Sequence, residues 1–118
     1  MSENEKIRII TDKISFGEIK KIAEERFGDM VKCVLDLDRK IMAVGGEMHA
    51  DEEAMLLEDG SKQVDLWGIN LYPDKIGNDF VEFDSMINIR PRQDNRSRGV
   101  ESAEIRNKII EVVKELVG

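Results

Sequence analysis

The 118 residues are 41% hydrophobic and 36% charged, with a formal net charge of −7. That length suits one domain whose core needs no staple, and so acidic a chain lacks the basic footprint of a nucleic-acid binder. Cys33 is the single cysteine, which excludes an intrachain disulfide, and one cysteine with one histidine excludes a cysteine-based zinc site.

The first residues, Met1-Ser2-Glu3-Asn4-Glu5-Lys6, lack the apolar core of a signal peptide. No apolar run is long enough to span a bilayer, so the expectation is a cytoplasmic protein without membrane contact. Residues 1–14 read as an N-terminal arm, with Ile7-Arg8-Ile9-Ile10 either a short strand or an extended segment. Residues 15–118 read as a single domain.

Ser15 and Glu18 form a capping box, with Ile14 and Ile19 at staple positions across it. Ile19, Ile22, Ala23 and Phe27 follow helical spacing until Gly28 stops the run. Met30 to Leu37 is strand-like, and Asp38-Arg39-Lys40 turns it into Ile41-Met42-Ala43-Val44, with Gly45-Gly46 closing the hairpin. Cys33, among Val31, Val34 and Leu35, reads as a core side chain rather than a reactive thiol. Turn chemistry accounts for Asp36 and Asp38.

A short acidic helix is predicted from Asp51 to Asp59, stopped by Gly60. The strand Val64 to Tyr72 places Trp67, Ile69 and Leu71 on one face and Leu66, Gly68 and Asn70 on the other. Trp67 then reads as a core or interface anchor rather than a stacking platform. From Phe80 the chain is expected to be extended up to Pro91. Val81, Phe83, Ile87 and Ile89 would share one face, opposite Glu82, Asp84, Asn88 and Arg90, with room for a bulge at Asp84-Ser85. Ser102 caps a last helix carrying Ile105, Ile109, Val112, Val113 and Leu116. The expected fold is α+β, a mainly antiparallel sheet of about four strands packed by about three helices.

Charge is unevenly placed along this frame. Glu47 to Asp65 carries seven acids against Lys62, whereas Asn88 to Gly99 carries four arginines against Asp94. Guanidinium groups suit bidentate contacts with phosphate or carboxylate. Arg90, Arg92, Arg96 and Arg98 are therefore candidate ligands for a small anion, with a phosphate-bearing molecule the expected one, and Asn88 and His49 are candidate orienting or acid–base groups. Glu101 and Glu104 occupy the helix start behind the loop, so the anion would sit on the arginine side chains. The competing expectation is a non-catalytic interaction module, a homodimer, whose arginines pair with acids.

In Gly45-Gly46-Glu47-Met48-His49-Ala50-Asp51, an extended chain would aim Glu47, His49 and Asp51 the same way. That could hold a divalent ion, or make His49 a base oriented by a carboxylate. The plainer reading makes Asp51 a helix N-cap and His49 a turn residue. There is no phosphate loop, no dinucleotide fingerprint and no Gly-x-Ser-x-Gly elbow. No cofactor is implied, and nothing in the sequence marks the protein as an enzyme.

Several strings together resemble a known family: Met42-Ala43-Val44-Gly45-Gly46-Glu47-Met48-His49-Ala50-Asp51, Leu56-Leu57-Glu58-Asp59-Gly60-Ser61, Asp65-Leu66-Trp67-Gly68-Ile69-Asn70, Phe83-Asp84-Ser85-Met86-Ile87-Asn88-Ile89-Arg90-Pro91 and Asn95-Arg96-Ser97-Arg98. The resemblance, from about Ser15 to the C-terminus, is to small uncharacterised proteins of bacteria and archaea. It implies a stand-alone domain and carries no activity and no catalytic residues.

Overall fold

Strand pairing is antiparallel throughout the sheet of the computed structural model, which describes residues 6–118. The strands are β1 (Arg8–Ile10), β2 (Val31–Asp36), β3 (Ile41–Val44), β4 (Leu66–Leu71) and β5 (Val81–Glu82), in the order β1-β3-β2-β4-β5. The expected hairpin is β2–β3, and β4 pairs with the other side of β2. The Ile7–Ile10 segment takes the strand alternative: β1 pairs with β3, making the fifth strand. The segment after it joins the same body, since Ile14 bridges Val117 near the C-terminus.

The helices are α1 (Phe16–Arg26), α2 (His49–Glu58) and α3 (Ala103–Leu116). Ser15 caps α1 by accepting from the Glu18 amide, and Ser102 caps α3 by accepting from the Ile105 amide. Ile19, Ala23, Ile109, Val112, Val113 and Leu116 pack from α1 and α3 onto Cys33, Leu35, Met42, Trp67, Ile69 and Leu71. On the opposite face, α2 sends Leu56 against Val34, Ile41, Ala43 and Leu66. Both faces are thus covered, which is why β2, β3 and β4 read as nearly continuous apolar runs.

Three local expectations are corrected. Phe27 is 40% exposed rather than packed on the sheet, and the Lys32 ammonium lies 5.5 Å from its ring centroid. The second helix starts at His49, so its N-cap is Met48, not Asp51. The strand predicted from Phe80 to Arg90 pairs only at Val81 and Glu82. Beyond that the chain turns through 3-10 turns at Met86–Asn88 and Pro91–Gln93.

That last difference has a physical cause. Ser85 caps the first turn by accepting from the Ile87 amide, and Asn88 and Arg90 supply hydrogen bonds that a longer β5 would have given. The Asn88 carboxamide binds the Gly68 amide and carbonyl, and the Arg90 guanidinium donates to the Leu66 carbonyl. The exposed edge of β4 is satisfied by side chains instead of a strand.

Candidate functional site

The α2 face of the sheet is apolar beneath Leu56 and polar toward one end. Register places Lys32 of β2 opposite Asn70 of β4, and Asn70 opposite Glu82 of β5. These three polar side chains make a row across adjacent strands. The Asn70 amide group donates to Glu82 Oε1 at 2.8 Å and to the Asp84 carbonyl at 3.2 Å. Both partners are acceptors, which fixes the orientation of the carboxamide. Asn70 Oδ1 is left buried without a donor.

The two polar segments singled out in the sequence meet over this row. A cleft of about 210 Å³ is lined by Lys32, Glu47, Met48, His49, Ala50, Ser85, Met86, Ile87 and Arg98. One wall is the start of α2 and the other is the loop that follows β5. Gly68 permits the approach: a Cβ there would lie 2.6 Å from both Cβ and Oγ of Ser85. Gly45, at φ +96°, turns the chain out of β3 toward α2, and a Cβ there would meet the Lys6 carbonyl oxygen at 2.6 Å.

Helical geometry sorts the residues of the first turn. His49, Glu52 and Leu56 share the buried face of α2, while Glu47 lies outside the helix and Asp51 turns away from His49. Glu47 pairs with Arg26 at 2.9 Å. The trio Glu47, His49 and Asp51 is therefore not gathered around one point, and no group of metal-ligating side chains converges among the described residues.

His49 is 7% exposed, and its Nε2 lies 2.8 Å from the Ile69 carbonyl oxygen. A carbonyl can only accept, so Nε2 carries the proton and Nδ1 is the lone-pair nitrogen of the neutral ring. Burial lowers the imidazole pKa to about 4, with Lys32 adding to the effect; the Ile69 carbonyl, Asp84 and the Asn70 side chain pull the other way. At neutral pH the ring is an acceptor, not a cation.

Glu52 is fully buried. Its Oε2 accepts from the Gly46 amide at 3.0 Å, and its Oε1 has no partner. Burial pushes this carboxyl well above the usual range, while the Gly46 amide, Lys32 and Arg26 draw it back. Burial likewise raises the Cys33 thiol, and Glu52 adds to the effect. Cys33 is thus an inert core thiol.

The four arginines are dispersed. Arg90 points inward: its guanidinium donates to the carbonyls of Ile87, Gln63 and Leu66 and stacks over Trp67 at 4.6 Å. Arg92 and Arg96 are exposed. Arg98 lines the cleft and is held by Asp84 at 2.7 Å. Asn88, 0% exposed, spends its carboxamide on Gly68 and the Arg98 carbonyl.

Asn95 does similar work in the loop. Its amide group donates to the Asn88, Ser97 and Gly99 carbonyls, and its oxygen accepts from the Glu101 amide. Glu101 takes the backbone amides of Arg96 and Ser97, which lowers its own pKa. The loop is a folded object, not a flexible arm of cations.

Of the predicted site residues, the cleft unites Glu47, His49 and Arg98. Sequence reasoning overlooked Lys32, Asn70, Glu52 and the methionines Met48 and Met86. Lys32 and Asn70 each interrupt an apolar strand, and a helix beginning at His49 would have put Glu52 on its buried face. Those were the available signals.

A larger groove of about 510 Å³ runs between α3 and the β2–β3 turn, lined by Asp38, Asp65, Glu111 and Glu115 against Lys40 and Lys108. Asp65 is raised there by desolvation and by Asp36 and Asp38. It gathers carboxylates without a convergent donor set, so the smaller cleft is the better-built site.

No curated protein and no solved structure matches the chain. A family model, described as a protein of unknown function (DUF5674), matches residues 8–116, and with nearly the whole chain matched the protein belongs to that family.

Proposed function

We propose that this protein binds a small anionic ligand, a phosphate or carboxylate, in the cleft between the start of α2 and the loop after β5. The observation that carries this reading is Lys32. It lies in the cleft over the Phe27 ring, and no carboxylate among the described residues forms an ion pair with it. Arg98 adds a guanidinium on the other wall, though Asp84 neutralises part of its charge.

The start of α2 adds less, because Asp51 and Glu52 stand in its first turn, so the charge of the ligand rests on Lys32 and Arg98. Met48 offers no side-chain cap, so the first amides of the helix have no side-chain acceptor beside them. Neutral His49 would orient the ligand by accepting a hydrogen bond at Nδ1. Within this reading Arg90 and Asn88 shape the loop, and Arg92 and Arg96 supply a positive approach to the cleft.

Inorganic phosphate and acetate are the probes. A ligand at a hundred times its Kd stabilises by about 2.7 kcal/mol, so the melting temperature should rise with either anion. Lys32→Gln and Arg98→Gln should reduce that rise, and Arg92→Gln and Arg96→Gln should reduce it less. Wild-type protein that neither anion stabilises would sink the proposal. Light scattering would then test the rival, a homodimeric interaction module.

A further inference from the structure

One residue of the cleft stands against local preference, and a second apolar side chain faces it. Met48 occupies the N-cap of α2, where Ser, Thr, Asp or Asn would satisfy an orphan amide. It is 58% exposed, and Met86 on the facing wall is 65% exposed. Each side chain projects from a fixed base. The Met48 carbonyl accepts from the amides of Asp51 and Glu52, and the Met86 carbonyl accepts from the Ile89 amide. Ala50 and Ile87 continue the apolar surface between them. Departures from local rules concentrate where function needs them.

We infer that the ligand is amphipathic, with its anionic head at Lys32 and Arg98 and an apolar body gripped between Met48 and Met86. This rests on the anion-binding reading above and narrows it to carboxylates or phosphates that carry a hydrocarbon or aromatic group. Unbranched thioether side chains suit the task, because they adapt to irregular apolar shapes without a fixed rotamer. Lys32 and Arg98 give the cleft its positive charge, and the methionines give it an apolar rim. A free inorganic anion would leave that rim in water.

The test uses acetate, hexanoate and the neutral alcohol 1-hexanol, followed by chemical-shift titration of the His49, Ala50 and Ile87 amides. A fully buried methylene strengthens binding about fourfold, so even partial cover should make hexanoate bind about tenfold more tightly than acetate. In Met48→Ala/Met86→Ala that advantage should fall to within about twofold, with acetate binding unchanged. Both side chains are largely exposed, so the double variant should fold. Hexanol should bind much more weakly than hexanoate.

Equal binding of acetate and hexanoate by the wild type would overturn the inference while leaving anion binding intact. So would a hexanoate advantage that survives in the double variant. Hexanol binding as tightly as hexanoate would remove the charged head from the picture. If neither anion shifts the cleft amides, the anion-binding reading falls and this inference falls with it.

Discussion

Asn88 pairs with Gly68 through its side chain as a strand residue would through its backbone. Its Oδ1 accepts from the Gly68 amide at 2.8 Å, and its Nδ2 donates to the Gly68 carbonyl at 2.9 Å. The same Nδ2 reaches the Arg98 carbonyl at 3.0 Å. One carboxamide thus joins the open edge of β4 to the loop that walls the cleft.

Asn88→Ala should therefore cost far more than a surface change. It would leave the buried Gly68 amide and carbonyl without partners, at about 1–3 kcal/mol for each group left unsatisfied, while the Arg98 carbonyl keeps the Ser85 amide. We expect a loss of about 2–4 kcal/mol in urea unfolding. Asn88→Asp should fare no better, because a carboxylate would face the Gly68 and Arg98 carbonyls without a proton to give. A loss below about 0.5 kcal/mol in both variants, the range of ordinary surface changes, would show that the edge does not depend on this pairing.

The pH dependence of stability should carry two opposite signatures from α2. His49 has a folded pKa of about 4, below the 6.5 of the free side chain. Above pH 6.5 both states are neutral at this residue, and its contribution is fully present and does not vary with pH. As pH falls from 6.5 toward 4, the unfolded chain takes a proton that the folded protein refuses, and stability drops by up to about 3 kcal/mol. Glu52 has a raised folded pKa, so its contribution is complete below the unfolded value and is lost as pH rises through the folded one.

Urea midpoints measured from pH 4 to pH 8 separate the two groups. His49→Gln should lose less stability than the wild type between pH 6.5 and pH 4. Glu52→Gln should gain on the wild type as pH rises above 4.5. A His49→Gln curve parallel to the wild type throughout would mean that the imidazole takes up its proton without disturbing the fold.

Ile109 sits at the middle of α3 with no exposed surface, packed in the larger of the two apolar clusters. Its truncation to Ala should cost about 2–5 kcal/mol, through lost transfer energy and the cavity left behind. Calorimetry or denaturant unfolding reads this directly. A change within 0.5 kcal/mol would place α3 outside the cooperative core.

Features with local causes are legible in the residues alone. Ser15 and Ser102 start helices because their hydroxyls reach amides three residues on. Trp67, Ile69 and Leu71 share a face because side chains alternate along a strand. Hydrophobic periodicity then identified α1, α3, the β2–β3 hairpin and β4, and so the α+β class. The other features depend on partners that lie far apart in the chain and meet only on folding. Alternation in Glu82–Arg90 looks like a strand, but the Asn88 and Arg90 side chains serve Gly68 and Leu66, some twenty residues back, and fold the segment off the sheet. Four arginines in one loop look like one site, yet Trp67 claims Arg90 and Asp84 claims Arg98. Lys32, Asn70 and Glu82 become a polar row only when β2, β4 and β5 align in register. Register is a property of the sheet, not of any one strand.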